Sequence, residues 1–439
     1  MEMFLSGLIF LIVYFFLATE KLEKTVAVLL GAFFMFALRL VPFEYALAAI
    51  DLNVIFLLVG MMTCVFILSK TGFFEWIAVL VAKKAKGRPI SIMLLFITVT
   101  AVLSSVLDNV TTIILLAPVT ILIMEILEIS PVPFLILEVI ASNIGGTATL
   151  IGDPPNILIG SRAHLTFNEF LLHLGPVICV VFLIFGLSAF FIFRKSWQVP
   201  QRVKLRVTQA LPHLAIIDRK NMIRALGVLA LIFAGFFTHG ITGIEPGIIA
   251  LCGSMLMLVV CRSDIDATFM RVEWGVIFFF IGLFIVVSAL EYTGVINMLA
   301  GMLINLAGTN LFFLCMAILF GSALFSSFLD NIPFVITMIP LIQQVIAHLA
   351  EVQGIIDPAL IQEKIASPLW WSLALGACLG GNGTLIGASA NVVMSKISER
   401  NNHHISFGRF FKYGFLFMIQ SVLISAFCLW LMYFYQARF

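Results

Sequence analysis

The chain has 439 residues, 62% of them hydrophobic and only 11% charged, with a mean hydropathy of +1.14 and a formal net charge of +2. Soluble cores stop growing near ~250–300 residues and could not hide that much apolar surface, and so small a charge gives no footing for nucleic acid. What remains is an all-α integral membrane protein with many spans, because the strands of a membrane barrel would alternate polar and apolar residues.

The first apolar segment, 4–18, has neither a basic stretch before it nor a small-residue cleavage site after it, and reads as a retained span, not a signal peptide. Spans follow at 25–41 and 52–69. The apolar piece at 90–126 would measure ~50 Å as one helix, against a hydrocarbon core of ~30 Å. Its middle is the polar string SSVLDNVTT, so it reads as a re-entrant hairpin. Segment 131–160 is a span broken at GGTATLIGDPPN, and 168–193 closes a first unit of residues 1–193. A linker at 194–221 carries seven basic residues against Asp218 alone and reads as cytoplasmic. The second unit, 222–439, has spans at 222–239, 247–261 and 274–290. It continues with a hairpin at 311–349, a broken span at 367–395 and a last span at 411–434. The reading totals ten transmembrane helices and two re-entrant hairpins.

The second unit repeats the first. Asp108-Asn109 recurs 222 positions later as Asp330-Asn331, and the same offset links Gly31 to Gly253, Gly60 to Gly282 and Thr71-Gly72 to Thr293-Gly294. GGTATLIGDPPN at 145–156 recurs as GGNGTLIGASAN at 380–391, an offset of 235, with the extra residues in the polar stretch 350–366. A constant offset over so many positions marks an internal repeat. Each unit has five full spans, an odd number, so the second sits upside down relative to the first. With the N-terminus outside, all 25 Lys and Arg except Arg39, Arg162, Lys364 and Arg438 fall on cytoplasmic segments, as the positive-inside rule requires. Inverted repeats with broken helices are the mark of secondary transporters, and the breaks point to the binding site.

The chemistry therefore belongs to four interruptions: Ser105, Asp108, Asn109, Thr111 and Thr112; Asn143, Gly145, Gly146, Thr147, Thr149, Gly152, Asp153 and Asn156; Ser327, Asp330 and Asn331; and Gly380, Gly381, Asn382, Thr384, Gly387, Ser389 and Asn391. Irregular backbone at membrane depth is tolerated only where protein or a polar cavity satisfies it. Helices restart after each interruption, so four N-termini, each worth roughly half a positive charge, should converge and attract an anion. Asp153 is placed to cap the helix begun by Pro154 and Pro155. No Lys or Arg lies in any interruption, so an anion would be held by dipoles, Asn, Thr and Ser. Capping, worth ~1 kcal/mol, does not offset the ~2.5–3.5 kcal/mol cost of an acid at membrane depth, which points to a function for Asp108 and Asp330. With neighbouring hydroxyl and carbonyl oxygens they suit Na⁺, at Asp108, Asn109 and Gly146 in one unit and Asp330, Asn331 and Gly381 in the other. A buried carboxylate suits a proton equally, so the expected coupling ion is Na⁺ or H⁺. Glu138 has no acidic twin and reads as a proton relay or as an acid facing the bundle. The seven cysteines, Cys378 among them, show no CxxC and read as packing residues, with no cofactor implied.

The string SNIGGTATLIGDPPNILI, with the preceding LDNVTT, resembles the arsenite permease and pigmentation P-protein branch of the ion transporter superfamily. It is similar to the citrate-transporter-like domains and sodium-coupled dicarboxylate symporters of that superfamily, and the resemblance covers nearly the whole chain. In the dicarboxylate members a Ser-Asn-Thr triplet at each hairpin tip contacts Na⁺ and substrate. The matching tips here are Asp108-Asn109-Val110-Thr111 and Asp330-Asn331-Ile332-Pro333, with Asp replacing Ser and no Thr at the second. Ala388-Ser389-Ala390 stands where the first break has Asp-Pro-Pro. These departures shift the expectation from a dicarboxylate toward a different ion or a protonated solute. The resemblance also implies a homodimer and an elevator motion of a hairpin-bearing domain.

The expected function is thus secondary active transport of a small anion or oxyacid, carboxylate- or arsenite-type, across the cell (inner) membrane. The alternative is a Na⁺/H⁺ antiporter using Asp108 and Asp330. A passive channel would show far faster, unsaturable flux. An enzyme is not expected, since the chain has no HExxH, nucleophile–His pair or nucleotide loop.

Overall fold

A computed structural model describes residues 1–19, 21–197, 199–209 and 211–435, so that Arg438, one of the four basic residues assigned to the outside, lies outside the described residues. The first half contains α1 (Glu2–Thr19), α2 (Lys24–Ala37), α3 (Phe43–Ala48), α4 (Leu52–Ser69) and α5 (Phe73–Lys84). It continues with α6 (Pro89–Ser104), α7 (Asn109–Ile126), α8 (Val132–Gly146), α9 (Pro154–Ala163) and α10 (Phe167–Phe193). A short helix α11 (Gln201–Thr208) leads into α12 (Arg219–Thr242), α13 (Pro246–Cys261), α14 (Ile265–Phe269), α15 (Trp274–Tyr292) and α16 (Val295–Ala307). Then come α17 (Leu311–Phe328), α18 (Asn331–Gln353), α19 (Pro358–Ile361), α20 (Ser367–Gly380), α21 (Ser389–Arg400) and α22 (Phe407–Trp430). The described residues form no strand.

Nine helices among the described residues are long and apolar enough to cross a membrane: α1, α4, α7, α10, α12, α15, α17, α18 and the stretch Phe407–Tyr435. The chain is an integral, multi-pass membrane protein. Shorter apolar helices include α2, α6, α8 and α13. The segment read as a span at 25–41 is helical only as far as Ala37, because Arg39 turns to a left-handed φ of 53° and ends it. Its 14 residues reach about 21 Å, short of the ~30 Å hydrocarbon core.

Local chemistry explains the boundaries. Asp51 accepts from the Val54 amide and Asp218 from the Asn221 amide, capping α4 and α12. Thr166 and Glu169 make a reciprocal capping box at the start of α10, a helix of 27 residues. Ser105–Asp108 separates α6 from α7, and Leu329-Asp330 separates α17 from α18.

Packing follows the same offsets as the sequence. α2, α4, α6 and α7 begin at Lys24, Leu52, Pro89 and Asn109, and α13, α15, α17 and α18 begin 222 positions later at Pro246, Trp274, Leu311 and Asn331. α2 packs on α15, and α13 packs on α4; α7 packs on α21, and α18 packs on α9. Within each half the hairpin leans on the broken helix, α6 on α8 and α17 on α20. Two glycines permit that approach. A Cβ on Gly145 would lie 2.1 Å from the Ala101 carbonyl oxygen, and one on Gly380 would lie 2.6 Å from that of Ala323. Between apolar helices in lipid, such close van der Waals packing is the main source of association.

Candidate functional site

The four interruptions meet. A pocket of about 20 Å³ is lined by Asp108-Asn109-Val110, Asp153-Pro154, Asn331-Ile332 and Ala388-Ser389-Ala390, with Asn143 beside them. Those segments are the N-termini of α7, α9, α18 and α21. The space suffices for one water or a bare ion. Beside it opens a cavity of about 360 Å³, which shares Asp108, Val110, Pro154, Ile332 and Ser389 with the pocket and adds Glu23, Lys24, Glu273 and Lys396. That volume falls within the usual range of small-molecule sites, ~300–1,000 Å³.

The broken helices are held open by their own side chains. Asn156 donates through Nδ2 to the carbonyls of Thr149 (2.9 Å) and Thr147 (3.1 Å). Asn391 donates to those of Thr384 (2.9 Å) and Gly381 (2.8 Å). The Thr149 hydroxyl donates to the Ser105 carbonyl at 2.5 Å, and the Thr384 hydroxyl to that of Ser327, so each hairpin tip is tied to its neighbouring break. Gly146, Gly152 and Gly387 bring backbone within contact of Asn109, Ser104 and Ser327, and Gly381 lies against Ala388 and Gly387. Thr147 donates back to the Asn143 carbonyl at 2.7 Å.

Hydrogen bonds cross between the halves at the centre. Asn143 donates through Nδ2 to Oδ1 of Asn382 (2.9 Å) and of Asn391 (3.2 Å), and the Cys378 thiol donates to Oδ1 of Asn156 at 3.4 Å. Cys378 stands 235 positions after Asn143, so it occupies the equivalent place, and reading it as a packing residue missed this contact.

The three acids differ. Asp108 is half-buried and caps α7, accepting from the amides of Val110 (2.9 Å) and Thr111 (3.0 Å) and from the Thr111 hydroxyl. Asp330 makes no such cap. Its Oδ2 accepts from Lys24 Nζ and from Ser389 Oγ, each at 2.7 Å. Asp153 does not cap α9 either, contrary to the expectation from sequence. Pro154 and Pro155 carry no N–H at the first two helical positions, and the Asn156 amide bonds the Asp153 carbonyl instead. The Asp153 carboxylate turns inward to accept from Asn331 Nδ2 at 3.4 Å. One oxygen of Asp153 and one of Asp330 are buried without a hydrogen bond among the described residues.

Lys24 also corrects the sequence reading, which left the interruptions without a fixed positive side chain. It looked like a loop charge because 306 positions separate it from Asp330. Its place at the first turn of α2, where the helix field opposes a cation, was the available signal.

Some predicted residues lie apart. Glu138 is 1% exposed and accepts from Thr120 Oγ1 at 2.7 Å, away from both spaces. Thr112 is buried in α7 and lines neither. The hydroxyls of Ser105 and Ser327 bond their own helices at Val102 and Leu324.

Four helix ends bring partial positive charge to this centre, beside the carboxyl groups of Asp108 and Asp153 and the Lys24–Asp330 pair.

Known proteins are similar to this chain over most of its length. The family model described as citrate transporter matches residues 14–376. An uncharacterized transporter of Mycobacterium tuberculosis is 41% identical over 434 residues, covering 97% of each chain. One from Synechocystis is 32% identical over 440 residues, covering 97% of this chain and 96% of its own. The mouse P protein is 33% identical over 495 residues, covering 94% of this chain and 58% of its own length. The chain belongs to the citrate transporter family, in the branch of the ion transporter superfamily that includes the P protein.

Proposed function

We propose that this protein is a secondary active transporter of a small anion or oxyacid, working in the cell membrane as a homodimer and driven by Na⁺ or H⁺. The observation that carries the reading is the meeting of four helix N-termini with Asp108 and Asp153 at one small space, beside a larger cavity lined by Lys24, the ion-pair partner of Asp330. An anion is drawn by the helix ends, and a cation by the acids, so each favours the other's binding. The names of several relatives, uncharacterized transporters of Mycobacterium and Synechocystis, support transport rather than catalysis. The family description makes citrate and other small carboxylates the first solutes to try. It favours a solute carrier over a Na⁺/H⁺ antiporter.

Alternating access draws support from the exchanged packing of the halves. α2 on α15 and α13 on α4 are the contacts two units make when a two-fold axis relates them. With the odd number of crossings per unit expected from the sequence, that axis lies in the membrane plane and the two hairpins enter from opposite faces. A second cavity of about 210 Å³, lined by Asn53, Ile157, Ser161 and Glu245 among others, holds positions equivalent to Val392, Lys396 and Glu23 of the larger one. The two cavities are then entrances from opposite sides, the larger on the cytoplasmic face. An elevator motion of the hairpins and broken helices against α2, α4, α13 and α15 would exchange them.

Proteoliposomes holding the purified protein test this. Uptake of radiolabelled citrate or another small oxyacid should saturate and should follow an imposed Na⁺ or pH gradient. Uptake indifferent to both gradients, or conductance at channel rates, would refute it.

A further inference from the structure

Lys24 and Asp330 join two differently packed parts of the molecule. α2, which carries Lys24, packs on α1 and α15, whereas Asp330 stands at the hairpin tip, beside α21. The Lys24 side chain is 26% exposed and that of Asp330 is 5%. Asp330 Oδ1 is buried with no hydrogen bond among the described residues, although Oδ2 receives both Lys24 and Ser389. The equivalent acid, Asp108, uses its carboxylate to cap its own helix, and the position equivalent to Lys24 is Pro246. Among the described residues the pair therefore exists at one tip only. It is also costly to build, since a lysine at a helix N-terminus opposes the local dipole, and a capping role for Asp330 has been given up.

We infer that Lys24 is a tethered counter-ion that competes with a sodium ion for Asp330. When Na⁺ reaches the free Oδ1 and the neighbouring oxygens, the ammonium is released to the cavity; when Na⁺ leaves, the ammonium returns. A buried carboxylate left bare is expensive, so the pair keeps the tip neutral both with and without the ion. It also sets the sodium concentration at which the tip is loaded. Lys24 is thus a positioning residue that tunes cation affinity. The inference rests on the coupled-transport reading and names a residue that sets its ion dependence.

Purified full-length protein in nanodiscs tests it, with Na⁺ as the probe against choline at constant pH and ionic strength, and the thermal unfolding midpoint as the readout. Removing the competitor in Lys24→Gln should lower the half-effective Na⁺ concentration by about tenfold or more, whereas Lys24→Arg, which keeps the charge, should stay within about threefold of wild type. Adding Asp330→Asn to Lys24→Gln should abolish the response. Equal sodium responses in wild type and Lys24→Gln, no response in either, or a response surviving Asp330→Asn overturns the inference. If Lys24→Gln does not fold, Asp330→Asn alone decides, because retention of the wild-type sodium response overturns it and loss supports it. Absence of flux for every solute, together with a Lys24-sensitive sodium response, would refute the transport reading and leave the competition standing. Sodium-driven flux unchanged by Lys24→Gln would do the reverse.

Discussion

Asn143 reaches across from α8 to place Nδ2 3.2 Å from Oδ1 of Asn391 in α21. Asn391 is fixed by its own Nδ2, which bonds the Gly381 and Thr384 carbonyls, so its Oδ1 must face Asn143. The mirrored contact is weaker, because Cys378 offers Asn156 only a thiol. At these two equivalent positions one half grips the other through an amide, and the other returns a soft contact.

Truncating Asn143 to Ala should leave the Asn382 and Asn391 oxygens without this donor in a buried place. Each orphaned group costs about 1–3 kcal/mol, so Asn143→Ala should lower the unfolding midpoint clearly in a detergent thermal ramp. Cys378→Ala, which removes a weak donor, should lower it much less. Equal losses for the two would contradict the asymmetry.

What was legible in sequence and what was not follow from range. Asp108-Asn109, Asp330-Asn331 and the glycine breaks stood out because polar and flexible residues interrupt apolar runs, a signal within a dozen positions. Their convergence followed from the repeat together with the rule on broken helices. Lys24 was hidden because its partner is 306 positions away and its neighbours Glu23 and Lys21 made it look like loop charge. Cys378 was hidden by its apolar surroundings, although its offset from Asn143 could have exposed it. The orientation of Asp153 depended on the missing amides of two prolines, visible in GDPPN but overridden by the general preference of Asp for caps.

Gly145 and Gly380 should be intolerant where other helix glycines are not. A Cβ at Gly145 would meet the Ala101 carbonyl at 2.1 Å, and backbone cannot swing aside as a side chain does. Gly145→Ala and Gly380→Ala should each lose about 1–3 kcal/mol through overpacking. Gly186→Ala, with nothing within 4 Å, should be neutral or gain slightly from helix propensity. Monodisperse yield and unfolding midpoint measure all three, and a Gly145→Ala protein as stable as Gly186→Ala would overturn the packing argument.

The cap that Asp108 makes can be separated from its proposed part in coupling. Asn caps a helix about as well as Asp, whereas Ala loses ~0.5–2 kcal/mol. Asp108→Asn should therefore unfold near the wild-type temperature, and Asp108→Ala should unfold earlier. If the charge of Asp108 serves the coupling cation, both variants should lose gradient-driven uptake to a similar degree. Uptake that follows stability, kept in Asn and lost in Ala, would reduce Asp108 to a cap.

Glu138 is bonded to Thr120 and lines neither the small pocket nor the larger cavity. Glu138→Gln preserves an acceptor for Thr120 and removes the chance of a buried charge. Stability should hold or rise, and the pH dependence of uptake should match the wild type. A pH profile flattened in Glu138→Gln would instead return this residue to the proton path.

The proposed upside-down relation of the halves makes the most exposing demand. Lys84 ends α5, before the first hairpin, and Thr309 follows α16, before the second; both are exposed and hold comparable places in the two units. If the units were related by an axis along the membrane normal, cysteines at the two positions would face the same side. If the axis lies in the membrane, Lys84→Cys faces the cytoplasm and Thr309→Cys the outside. A membrane-impermeant maleimide applied to intact cells should label Thr309→Cys and spare Lys84→Cys until the cells are opened. The native exposed thiols at Cys179 and Cys252 are first changed to Ser so that each label reports one site. Labelling of both positions from one side would remove the inverted arrangement, and with it the two-entrance reading of the cavities.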